Sequence, residues 1–179
     1  MIHYKKNRNH VPPWIIVHDL YFSTIIEWYK MLPTTLKDKV NHDFLGDTPL
    51  TFKEQKELLS VGLKMLLQFR NFTSHGRRSI TGNFTVQLPK SILKALPPRS
   101  LSEEEYDKGI GQTGLFAVLL LLPVLIREEE MLRHLIIDIV FRTRKLRNNT
   151  LSNGVSYAEA LQLPKDVITR LDVEQMLNY

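Results

Sequence analysis

The chain contains no cysteine. That excludes disulfide frameworks, thiolate zinc sites and cysteine nucleophiles, and it fits a reducing compartment. A long apolar run is also missing. The longest covers residues 115–126 and is ended by Arg127-Glu128-Glu129-Glu130, well short of the roughly 20 residues that span a bilayer. The opening Met1-Ile2-His3-Tyr4-Lys5-Lys6-Asn7-Arg8 is basic but lacks the apolar stretch and small-residue cleavage site of a secretion signal. There is no Walker loop, dinucleotide fingerprint or serine-hydrolase elbow, and no internal repeat or low-complexity tract. Glu130 and His134 are spaced like metal ligands, but no third ligand of suitable spacing accompanies them, so they read as a helix salt-bridge face. The expectation is a soluble cytoplasmic protein with no cofactor, no metal and no membrane partner.

What is present is mostly helical pattern. The 179 residues fit one domain with a real core, and the formal net charge of +5 makes a polyanionic partner plausible. The predicted class is all-α, a single helical domain over 1–179 with a basic arm at 1–12 and short helices over 150–179. A helix is predicted from 14 to 32, preceded by Pro12-Pro13 and stopped by Pro33, and a shorter one over 35–44 before Gly46. Thr51-Phe52-Lys53-Glu54 reads as a capping box opening a helix that ends near His75 and Gly76. Its apolar residues fall on more than one side, so it is expected to be central. Helical period is lost from 77 to 100, where 84–88 alternates weakly as a short strand or extended loop would, and one helical turn is expected at 91–96. Ser102 to Glu105 and Ser156 to Glu159 form two more capping boxes. A long helical pattern over 115–147 is expected to kink or break near Pro123, and a final short helix to end near Leu177.

One stretch concentrates chemistry: Arg70-Asn71-Phe72-Thr73-Ser74-His75, followed by Gly76-Arg77-Arg78. RNA cleavage without a metal needs a base for the ribose 2′-hydroxyl, an acid for the departing 5′-oxygen and a cation for the phosphate. His75 titrates near neutrality and suits either proton role, Arg70 offers a donor fork that matches phosphate oxygens, and Asn71 can orient either partner. The bare spacing is not specific, since Arg127 and His134 satisfy it too; that second pair reads as a solvated helix face. The same residues at 70–78 also describe plain helix C-terminal chemistry, where cations suit the last carbonyls. Asn71 and His75 share a helix face, whereas Arg70 and His75 lie about 140° apart around an ideal helix. A working site therefore needs a frayed helix end, an arginine that wraps round, or a second chain.

A basic cluster at Arg142, Arg144, Lys145 and Arg147 is a candidate RNA-backbone contact, as are Arg77 and Arg78, with a solvated helix end as the alternative. Lys5, Lys6 and Arg8 are terminal cations of the same kind. His18 with Asp19, Trp14, Trp28 and Tyr29 read as core.

These residues resemble the HEPN superfamily, and more narrowly its Abi-like (abortive infection) branch. The Abi-like pattern is Arg-Asn, two residues, a small residue, His, two residues, Arg. Arg70, Asn71, Ser74, His75 and Arg78 match it, with serine at the small position where alanine is commoner. His3-Tyr4-Lys5-Lys6, Val11-Pro12-Pro13-Trp14, the stretch from Leu20 to Tyr29 and Leu163-Pro164 are similar to further family segments, although a glycine is usual where Ser23 stands. The resemblance implies a HEPN-like helical bundle with an irregular loop or short hairpin after the motif helix, and homodimerisation through the motif helices. It implies an endoribonuclease that needs no metal, cuts by 2′-hydroxyl attack and acts in phage defence or as a toxin with an antitoxin partner. The implied catalytic residues are Arg70, Asn71 and His75. Abi-like proteins usually carry a further N-terminal helical region that this chain would begin after. The alternative is therefore a catalytically silent HEPN module that binds RNA or a partner protein.

Overall fold

A computed structural model describes residues 20–74, 84–150 and 152–171. All regular elements among them are helical, with a single isolated antiparallel bridge between Thr150 and Ser156. The all-α reading holds. Residues 84–89 form neither helix nor strand, so of the two expectations for that stretch the loop is the one found.

Helix α1 (Phe22–Met31) ends at Leu32, whose backbone is extended because Pro33 follows. The predicted start of this helix, together with Trp14, His18 and Asp19, lies outside the described residues. Helix α2 is Thr34–Leu45. Buried Tyr29 donates its hydroxyl to Oδ1 of fully buried Asn41 at 2.7 Å, which joins α1 to α2. Burial raises the Tyr29 pKa, so the phenol stays protonated and able to donate. Trp28, expected in the core, is nearly half exposed.

Helix α3 (Phe52–Ser74) begins at the predicted capping box. Glu54 N donates to Thr51 Oγ1 at 3.4 Å, and Thr51 N donates to Glu54 Oε2 at 2.9 Å. Its buried residues are Gln55, Leu58, Leu59, Gly62 and Met65, one stripe at helical spacing. Gln55 donates Nε2 to the carbonyls of Leu45 and Leu50, fastening the turn before it. Helix α3 packs on α1, on α2 and on the single 3-10 helix Lys90–Ala95, which falls close to the expected turn. It also packs on a later helix that proves the most deeply buried.

That later helix follows α4 (Glu103–Asp107), which carries the complete predicted capping box from Ser102 to Glu105. Gly109 and Gly111 then take φ +91 and +72, a region that favours glycine. Helix α5 (Gly114–Leu125) is apolar on every side, and Phe116 through Leu121, Pro123 and Leu125 are all buried. The sequence reading assigned the central place to α3. The structure gives α3 more neighbours but gives α5 the deeper burial, because α3 has one solvated side. Pro123 sits in the last turn of α5, where its lost N–H costs one bond, and the chain breaks at residues 126–128. Helix α6 (Glu129–Asn148) resumes beyond the break.

Two short helices, α7 (Tyr157–Ala160) and α8 (Val167–Arg170), close the described chain. The predicted end near Leu177 lies outside it. The third capping box is half made: Ser156 Oγ accepts from Glu159 N at 3.1 Å, with no return bond from the glutamate among those described. Helix α8 is tied back by Arg170, which pairs with Glu105 through two bonds at 2.6 and 2.9 Å and with Asp166 at 2.7 Å. The guanidinium beside Glu105 holds that carboxyl down to about 2.

A carboxyl depressed on folding adds stability above its unfolded pKa and loses that stability as pH falls through the folded value. Glu105→Gln should therefore cost roughly 2 kcal/mol at neutral pH, allowing for partial exposure. The gap to the parent should shrink from about pH 4.5 and close near pH 2 in urea titrations. A gap that stays constant across that window would show that the charge is not what stabilises. In the core, a β-carbon at Gly62 would lie 3.1 Å from a Leu121 methyl. Gly62→Val should destabilise by about 1–3 kcal/mol, seen as a lowered Tm; an unchanged Tm would rule out close approach of α3 and α5.

Candidate functional site

Helix α3 is regular through Ser74, so it does not fray ahead of the motif histidine. Arg70 and Asn71 stand exposed on its last turns. Arg70 Nη1 donates to Asn71 Oδ1 at 3.3 Å, so the guanidinium leans round the helix toward the Asn71 side. Thr73 Oγ1 donates to the carbonyls of Phe69 and Arg70, the i−4 and i−3 back-bonding open to a threonine on a helix. His75, Arg77 and Arg78 lie outside the described residues.

The two flanks of residues 75–83 are held together. Phe84 stacks on Phe69 with ring centroids 6.3 Å apart and meets Phe72 at 5.0 Å in a tilted arrangement. Gln68 donates Nε2 to Thr85 Oγ1 at 3.1 Å and accepts from Val86 N at 3.3 Å. Further along, Leu88 N donates to Gln112 O, and Tyr106 donates its hydroxyl to Leu88 O at 2.5 Å. The chain thus leaves the end of α3 and returns to the same end, clamped by an aromatic trio and one glutamine. The sequence offered Phe84 only as part of a weak alternation, and its role depends on a contact twelve or more residues away.

The second candidate group lies on α6. Arg142 and Lys145 are exposed and line an open groove with Asn149, Thr150 and Tyr157. Arg144 is exposed but is not among the described lining residues, and the Arg147 side chain lies outside the description. The structure therefore brings Arg142 and Lys145 together and adds three residues that sequence reasoning missed. The missed signal was an aromatic directly after Ser156, facing a basic helix end across a short loop.

The competing arginine–histidine pair is dispersed. Arg127 sits in the break before α6, donating to Asp43 O at 2.6 Å and pairing with Asp47, so it is not on a helix face. His134 meets Glu130 at 3.3 Å, the expected salt-bridge arrangement. Among the described residues no group of three histidine, aspartate or glutamate side chains is placed to hold a metal, and no helix is long and apolar enough to cross a membrane.

The clamp predicts a local effect. Phe84→Leu should cost about 1 kcal/mol from the lost aromatic pairs. It should speed amide exchange over residues 69–74 while leaving 58–65 protected, as read by hydrogen–deuterium exchange. Equal change in both stretches would show that Phe84 acts on the whole core instead.

The family described as Abi-like protein matches the chain over residues 1–81. That span contains Arg70, Asn71, His75, Arg77 and Arg78. It stops short of the α6 groove. No curated protein and no solved structure matches the chain. The likeness to the Abi-like family thus lies in residues 1–81, the part of the chain that carries the motif.

Proposed function

We propose that the protein is a metal-independent endoribonuclease of the Abi-like HEPN type, acting in phage defence or as a toxin. The family match supports the setting, since Abi denotes abortive infection. The observation that carries the chemistry is the exposed, hydrogen-bonded Arg70–Asn71 pair at the end of α3, within the matched residues and one helical turn ahead of His75 in the sequence. A phosphate-binding fork on a solvated helix end, backed by a rigid buried stripe, is what a phosphodiester substrate requires.

In this reading His75 takes the proton from a ribose 2′-hydroxyl. The 2′-oxygen attacks phosphorus, the bond to the 5′-oxygen breaks, and that oxygen takes a proton from an acid. The products are a 2′,3′-cyclic phosphate and a 5′-hydroxyl. Arg70 balances the charge on the phosphate oxygens, where a fixed cation gains most in the transition state. Asn71, bonded to Arg70, orients the fork. Two copies joined through α3 would let one His75 act as base and the other as acid. Arg77 and Arg78 grip the RNA backbone beside the scissile bond, and an antitoxin would act by covering this helix end.

RNA incubated with the protein in EDTA should be cut, leaving cyclic phosphate ends. His75→Ala should lower the rate by about 10²–10⁴-fold, and Arg70→Ala by about 10²–10³-fold. Intact RNA after incubation with the parent protein, across single-stranded, hairpin and duplex substrates, would overturn the enzymatic reading.

A further inference from the structure

The groove on α6 lies outside the family match and outside the motif, and its construction points to a ligand. Its cations come from the helix and its far wall from the chain that turns back after it. Asn149 donates Nδ2 to Lys145 O at 2.8 Å, closing the end of α6. The chain then reverses through the Thr150–Ser156 bridge, and Tyr157 N donates to Asn149 O at 3.2 Å. On its other side Ser156 accepts from Glu159 N, which fixes the start of α7. Tyr157 also accepts from Leu161 N at 3.0 Å, so both its backbone groups are engaged; the residue is half-buried and lines the groove together with two exposed cations.

Three properties narrow the occupant. None of the described lining residues is acidic. The groove measures about 580 Å³, within the size range of small-ligand sites. It also pairs a rigid aromatic with cations, the combination used to stack a base while tracking its phosphates. Cations that serve only to complement a helix end need neither a groove nor an aromatic wall. Base-edge specificity is not built in, because Asn149 and Thr150 are the groove's short polar groups and Asn149 is already engaged by the helix.

We propose that this groove binds a single-stranded segment of RNA, with Arg142 and Lys145 on neighbouring phosphates and Tyr157 stacked on a base. It rests on the ribonuclease reading for the identity of the polyanion and makes the groove a second grip on the same strand. The motif end of α3 does the cutting, and the groove selects unpaired RNA because a base inside a duplex cannot reach Tyr157.

Binding is measured on the full chain in the His75→Ala background, in EDTA, by anisotropy of a labelled short single-stranded RNA. Tyr157→Leu should weaken binding about tenfold, Tyr157→Phe should restore it, and an abasic strand should gain nothing from Tyr157. Replacing Arg142 and Lys145 together by glutamine should reduce the slope of log affinity against log salt by about 1–1.5, near 0.7 per phosphate contact on a single strand. Binding of duplex RNA should be indifferent to Tyr157. Unchanged single-strand affinity in Tyr157→Leu, an unchanged salt slope in the glutamine pair, or displacement of the RNA by an acidic peptide at equal or lower concentration would each overturn the groove. If Tyr157→Leu proves unfolded by circular dichroism, the glutamine pair and the abasic strand still decide. The two readings fail separately: uncut RNA that still needs Tyr157 for binding refutes the nuclease alone, and RNA cut and bound equally well without Tyr157 refutes the groove alone.

Discussion

The fold depends on one close approach, that of α3 to α5 at Gly62 and Leu121. Helix α5 has no solvated face, so its stability comes from being enclosed and not from amphipathic docking. Enclosure requires a neighbour that comes near, and Gly62 supplies it by presenting backbone to the leucine methyls. From that contact the rest follows. Helix α3 is held along one buried stripe from Gln55 to Met65, Leu66 and Phe69 still pack against the core beyond it, and Arg70 and Asn71 reach solvent on the same helix.

The exposed end would be loose without the return of the chain. Phe84 against Phe69 and Phe72, Gln68 across to residues 85 and 86, and Tyr106 on Leu88 make a graded series of anchors. The first two lie on the motif helix and the last is set by the buried face of α4. Rigidity is therefore supplied from both chain directions, and the polar side chains that face RNA in the proposed reaction are spared from structural duty.

Much of this was legible in the sequence because it is local. The Thr51–Glu54 and Ser102–Glu105 boxes, the stop at Pro33, the turn between Pro89 and Pro97, and the break after Pro123 are all fixed by residues within a few positions of each other. What escaped is what the chain brings together from afar. Glu105 and Arg170 are distant in sequence, and neither has a neighbour that announces the pair. The third box shows that even a local pattern can be half used: Ser156 caps its helix while Glu159 makes no return bond to it among the described residues. For the candidate site, Arg70 and Asn71 were found as a motif, but the lean of one toward the other depends on rotamers that spacing does not encode. Nothing beside Tyr157 in the sequence announces the groove, because its partners on α6 lie across a reversal of the chain.

The break at residues 126–128 divides two kinds of helix. Before it lie twelve residues that are almost wholly enclosed; after it lie twenty with exposed residues along much of their length, including Ile137, Phe141, Arg142, Arg144 and Lys145. Had the two been one continuous rod, each surface substitution near its middle would have tilted the apolar half against its neighbours. Divided, they are separately adjustable. The outer helix can change its surface charge while the inner one goes on meeting the same packing constraint, so that surface and core answer to different physical demands.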